Sequence, residues 1–216
     1  MTGTQEISRI ATKETRAKRP VVCAVDDEKA VLQAIHAALA QLDVEVKCYL
    51  SAEDFLGEYR PGAVACMLID YVLPGASGLD LLERLQSDPV IQVVMISGQG
   101  TISSAVNAMK SGAIEYLEKP YEISSLLGAV ENAIDRNNQA CAKLQAQNQR
   151  QSRLEGLTRA ERDVVEASAT GDSIKEIAGK LDISIRTVHM RLASAMKKTE
   201  TDNKIELIKL ICYPEA

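Results

Sequence analysis

With 216 residues, a net charge of -5 and 46% hydrophobic side chains, the chain is long enough for one or two domains that each bury a core. Its apolar runs fall far short of the ~20 residues of a membrane span, and residues 1–20 lack a signal-peptide core, so a cytoplasmic protein without membrane contact is expected. Cys23, Cys48, Cys66, Cys141 and Cys212 form no CxxC pair and have no histidine at ligand spacing, which argues for free thiols over a zinc site or a disulfide framework.

Residues 1–19 are polar and basic, through Arg9, Lys13, Arg16, Lys18 and Arg19, and without a sustained period they read as a disordered tail. From Pro20 the pattern becomes short apolar runs alternating with amphipathic segments. Strands are expected near 21–25, 44–48, 64–69, 92–97 and 113–117, and helices near 28–41, 52–58, 77–86, 101–110 and from 122 onward. Five such βα units predict right-handed crossovers and a doubly wound, flavodoxin-like α/β domain of five parallel strands and five helices over residues 20–135. Ser51 with Asp54 marks one helix start, Thr101 caps another, and Gly112 stops it. This part of the chain carries 17 acidic against 6 basic side chains and is a poor candidate for touching nucleic acid.

In the helix from about Glu122, Ile123, Leu127, Val130 and Ile134 follow a 4-3-4 spacing and predict packing on the sheet. The same positions then become Asn137, Cys141 and Leu144 in an Ala- and Gln-rich stretch. Residues 136–153 therefore read as a linker helix or a flexible hinge, with a weak two-stranded coil, its register set by Asn137, as the alternative. Past Leu154 the strands disappear, and residues 154–216 form an all-α domain. Thr158-Arg159-Ala160-Glu161 and Ser173-Ile174-Lys175-Glu176 match the capping box, and Gly171 ends the first of these helices. Ser173–Lys180, a turn at Leu181-Asp182-Ile183 and a helix capped by Ser184 make a helix-turn-helix. Val188, Leu192 and Met196 face inward, leaving Arg186, His189, Met190, Ala193, Lys197 and Lys198 outward. A closing helix, Lys204–Cys212, carries Ile205, Leu207, Ile208 and Ile211, more apolar surface than a three-helix core needs, and so offers a face to a second subunit.

Three strands of the first domain end in chemistry-bearing groups. Val21–Val25 runs into Asp26 and Asp27, Cys66–Ile69 into Asp70, and Val93–Ile96 into Ser97; a fourth, Ala113–Leu117, is followed by Lys119-Pro120. Parallel α/β sheets build their sites at these carboxyl ends. Carboxylates gathered in one cleft need a cation, and oxygen ligands beside a lysine favour Mg2+ sharing its shell with phosphate. Asp70 is then a candidate nucleophile toward a phosphoryl donor, with Lys119 and Ser97 steadying the equatorial oxygens.

Val25-Asp26-Asp27-Glu28, Leu68-Ile69-Asp70, Leu73-Pro74-Gly75, Ser77-Gly78, Ser97-Gly98 and Gly112-Ala113 through Tyr116 to Lys119-Pro120 resemble the receiver domain of two-component response regulators. Residues 154–211 resemble the LuxR-type helix-turn-helix through Leu157-Thr158, Glu161, Gly171, Lys175-Glu176-Ile177-Ala178, Leu181, Ile183-Ser184 and Thr187-Val188. In this order the pair resembles the NarL/FixJ family. The resemblance implies Asp70 as phosphoacceptor, and Asp26, Asp27, Asp70 and the Val72 carbonyl around Mg2+. Ser97 and Tyr116 become the switch pair, and Lys119 the phosphate partner, followed by a cis bond to Pro120. It implies a sensor histidine kinase, double-stranded DNA, a homodimer formed on phosphorylation and RNA polymerase as partners, and a regulator of transcription instead of an enzyme. Arg186, His189 and Met190 are expected at base edges, Thr187, Arg191, Lys197 and Lys198 along the phosphates, and Ser184 among the DNA-binding residues. The sequence departs from the family where lysines are common, at His189 and Ala193, and where Thr199 replaces leucine. With a C-terminal domain close to charge balance, these departures keep a second reading open, an adaptor or phosphate sink that barely binds DNA.

Overall fold

The computed structural model describes residues 19–75, 77–98 and 100–212, so the expected disordered tail lies, apart from Arg19, outside the described residues. The chain divides into two compact units, Met1–Cys141 and Ala142–Ala216.

The first unit runs β1 (Val21–Val25), α1 (Lys29–Leu39), β2 (Glu45–Tyr49), α2 (Ala52–Glu58), β3 (Cys66–Asp70), α3 (Gly78–Leu85), β4 (Gln92–Ser97), α4 (Ile102–Lys110), β5 (Glu115–Glu118) and the start of α5 (Ile123–Glu155). The strands are all parallel in the order β2-β1-β3-β4-β5. Alternation with period two divides each central strand between two cores. Cys23, Val25, Met67, Ile69, Val93 and Met95 face Phe55, Leu81, Leu82, Leu85 and Ala108. Val22, Ala24, Cys66, Leu68, Val94 and Ile96 face Leu32, Ile35, Leu39, Leu126, Ala129, Val130 and Ala133. β1 and β3 are buried at every residue, as strands covered on both faces are, whereas the edge strand β2 alternates between exposed and half-buried. β5 starts two residues later than its apolar run suggests, because the Ala113 amide bonds back to the Ala108 carbonyl and closes α4 over Gly112 at φ +94°.

α5 is one 33-residue helix. Asn137 does not sit in a coil seam: it is buried, and its Nδ2 donates to the Val90 carbonyl at 2.7 Å. The helix thus packs on the first unit beyond the expected boundary at 135. At its other end Leu154 joins the core of the second unit.

That unit continues with α6 (Arg159–Ala169), α7 (Ile174–Lys180), α8 (Ile185–Thr199) and α9 (Lys204–Cys212). Thr158 and Ser173 form the two expected capping boxes, and Ser184 caps α8 by accepting from the Thr187 amide. Val164, Val165, Ile177, Val188, Leu192, Ala195 and Leu207 fill the core. Of the apolar side chains of α9, Leu207, Ile208 and Ile211 join this core, and Ile205 stays 68% exposed, so the surplus surface is smaller than the sequence suggests.

Candidate functional site

Asp26 follows β1 and Asp70 closes β3, and both are buried at the carboxyl edge of the sheet; Asp27 beside them is exposed. Carboxylate oxygens of the three lie within 4.8 Å of one another. Lys119, delivered by the turn after β5, bridges two of them, its Nζ donating to Asp26 Oδ2 at 2.7 Å and to Asp70 Oδ2 at 2.5 Å. The remaining oxygens are met by backbone. The Glu28 amide donates to Asp26 Oδ1 and the Val72 amide to Asp70 Oδ1, each at 2.9 Å. Burial pushes the Asp26 carboxyl up from its ordinary value, and the bonds from Lys119 and Glu28 only partly offset it. For Lys119 burial works downward, and its two carboxylate partners outweigh it and raise the ammonium. The cleft is therefore short of positive charge, with three carboxylates against one lysine, which is the donor set that a hard, oxygen-seeking cation fits.

The loop that presents Asp70 depends on a glycine. A Cβ on Gly78 would lie 2.0 Å from the Asp70 carbonyl oxygen, so only glycine lets α3 begin this close to the end of β3. Ser77 and Asp80 close a capping box over that start, a signal readable in the sequence as Ser-x-x-Asp but not drawn from it. Ser97 is buried at the end of β4, and its carbonyl accepts from the Lys119 amide at 2.7 Å. Tyr116 stands opposite Met95 in the ladder and packs on the core; its hydroxyl is buried with no hydrogen-bond partner among the described residues. The Lys119–Pro120 bond is cis. Val72 is 54% exposed at the rim.

In the second unit, Arg186, His189, Met190, Ala193 and Lys197 are exposed along α8 and Arg191 is half-buried. Ser184 and Thr187 bond each other, hydroxyl to hydroxyl at 2.8 Å, at the start of the helix. Lys198 is exposed, and its Nζ donates to Glu161 Oε2 at 2.8 Å. Glu161 is buried and also accepts from Ser194 Oγ at 2.6 Å and from the Thr158 amide and hydroxyl at 2.8 and 2.9 Å. Burial alone would raise its pKa, but these donors outweigh it and hold the carboxyl down at about 2. Thr199, at the position expected to carry leucine, is fully buried and its hydroxyl donates to the Ala195 carbonyl at 2.8 Å.

Residues 22–131 match the family described as response regulator receiver domain, and residues 155–211 match the luxR family of bacterial regulatory proteins. The chain is a response regulator. Among its relatives are the response regulator protein TmoT of Ectopseudomonas mendocina, 32% identical over 88% of this chain and 87% of that protein, and the transcriptional regulatory protein FixJ of Rhizobium meliloti, 34% identical over 86% and 92%. The solved structure of the response regulator StyR, 34% identical, superposes with a TM-score of 0.83 over 89% of this chain and 98% of that one. Full-length FixJ from B. japonicum, 29% identical, gives 0.53 over 89% and 96%. This regulator accordingly controls transcription under phosphorylation, with a sensor kinase upstream and DNA as the target of its LuxR-type domain. No helix among the described residues is long and apolar enough to cross a membrane.

Proposed function

We propose that Asp70 is the phosphoacceptor, and that its phosphorylation drives dimerisation and operator binding through α8. The observation that carries the reading is the pairing at Asp70: one oxygen is held by the Val72 amide and the other by Lys119, at the one end of the sheet where Asp26 and Asp27 also converge. In the transfer, an Asp70 oxygen attacks the phosphorus of a phosphohistidine on the kinase. The new O–P bond forms as the P–N bond breaks, and the imidazole leaves with the electron pair. Asp26, Asp27, Asp70 and the Val72 carbonyl would hold Mg2+, which supplies neutralisation of the charge on the equatorial oxygens. Lys119 holds the same charge from the other side, and the Ser97 hydroxyl donates to the new phosphoryl group while the Tyr116 ring fills the space behind it. Among the described residues the reactive groups here are a nucleophile and its electrostatic supports, with no second general base for turnover, and the chain acts as a switch. Its domains are a receiver that extends along α5 past Asn137, the rest of that helix as linker, and the all-α domain from residue 154, and RNA polymerase is a further contact of the DNA-bound dimer.

The test is analytical ultracentrifugation with Mg2+, with and without beryllofluoride, on the wild type and on Asp70→Asn, with phosphoramidate labelling in parallel. Expected are Mg2+-dependent labelling and a shift to dimer in the wild type alone. Labelling of Asp70→Asn to the same level would overturn the assignment, and labelling without any dimer would move the output to another contact.

A further inference from the structure

Resting on the reading of α8 as the recognition helix, we infer that the regulator reads thymine methyl groups through Met190 and Ala193. At about 100° per residue, Val188, Leu192, Ala195 and Thr199 occupy one arc of about 60° on α8, and all four are buried. The diametrically opposite arc holds Arg186, Met190, Ala193 and Lys197, and all four are exposed. This ridge is the part of the helix that reaches deepest into a groove. Its order is cation, thioether, methyl, cation. Met190, midway along it in sequence, has 63% of its surface in solvent.

The chemistry of that order selects its ligand. In the major groove the thymine C5 methyl is the apolar feature that a base pair presents, and apolar side chains contact it; Arg takes the O6 and N7 acceptors of guanine. Met190 and Ala193 have no hydrogen-bond donor with which to read a base edge. The thioether is flexible and polarisable, which suits it to close over a methyl of uncertain height. Lys198, the other cation near the end of α8, lies about 80° or more off this ridge and pairs with Glu161. The half-site therefore carries a guanine facing Arg186 and one or two thymines on the side of Met190 and Ala193, where the methyl and not a hydrogen bond discriminates.

Full-length regulator, activated with beryllofluoride and Mg2+, would be used to enrich a half-site from random duplex DNA, and each thymine then replaced by deoxyuridine, which differs only by the methyl. Burial of one methyl corresponds to about a fourfold change in affinity per half-site. The expected result is that loss at one or two thymines in the wild type, its disappearance in Met190→Ala at one of them, and its retention in Met190→Leu. Indifference of the wild type to uracil at every position would overturn the inference while leaving DNA recognition standing. So would a preference that persists in both Met190→Ala and Ala193→Gly, which would mark a response to duplex shape. Enrichment of no sequence, in a chain that dimerises normally, would overturn the recognition role of α8 and this inference with it.

Discussion

Glu161 joins the start of α6 to α8 by accepting four hydrogen bonds, two from Thr158, one from Ser194 and one from Lys198. Replacing it by glutamine keeps the shape and the cap but removes the charge. A carboxyl held at about 2 against an ordinary 4.5 corresponds at most to ~3 kcal/mol. The Lys198 side chain is 37% exposed, so solvent screening reduces this to ~1–2 kcal/mol. For a unit of this size that is a fall in Tm of roughly 5–15 °C. Glu161→Ala removes the cap as well and leaves donors unpaired, for a loss of ~3 kcal/mol. The native carboxyl binds its proton only near pH 2, whereas the unfolded one binds it near 4.5. The stabilisation is thus complete above about pH 5 and is lost as pH falls through 2. Urea unfolding of the full chain, followed by far-UV circular dichroism with amide exchange to localise the transition to α6–α8, gives the difference between wild type and Glu161→Gln. A difference below ~0.3 kcal/mol at pH 7, or one of undiminished size at pH 2, would refute the reasoning.

Gly78→Ala drives a methyl into the Asp70 carbonyl oxygen, and receiver stability should fall by ~2–4 kcal/mol with loss of phosphoramidate labelling; an unchanged urea midpoint would contradict it. Mg2+ at ten times its Kd should stabilise the receiver by ~1.4 kcal/mol in a thermal melt, an increment that chelation reverses and Asp27→Asn abolishes. Lys197→Ala should lower the salt slope of DNA binding by ~1 and Arg186→Ala should weaken binding by ~1–3 kcal/mol and relax the preference for its guanine, whereas Lys198→Ala should lower stability and leave the slope nearly unchanged; a salt-independent wild type would favour the adaptor reading. Tyr116→Phe deletes a buried hydroxyl that has no hydrogen-bond partner among the described residues, and the receiver should gain up to ~1 kcal/mol, measured by urea unfolding.

The sheet and its reactive edge were legible because both rest on local pattern: apolar runs ending in Asp26, Asp70 and Ser97 show where strands stop, and the stop is where the chemistry gathers. The caps at Thr158, Ser173 and Ser184 were legible for the same reason, since each closes within four residues. What escaped depends on distant partners. The 4-3-4 spacing that leads to Asn137 is the same whether a second helix or the Val90 carbonyl waits opposite, and only the folded chain chooses the latter. Lys198 reads as a free cation until Glu161, far away in sequence, is brought beside it. Asp88 carries no local signal, yet it is buried and accepts from the Tyr59 hydroxyl and from the Gly62 and Val90 amides, tying two loops at the amino edge of the sheet.

The two outer strands carry a further implication. β2 presents Glu45, Lys47 and Cys48 to solvent and β5 presents Glu118, with Glu115 half-buried behind it. Charged side chains on a rim discourage another strand from adding to the ladder. Copies of this regulator at high local concentration are thereby kept from fusing their sheets into one, and the five-stranded layer stays closed to growth.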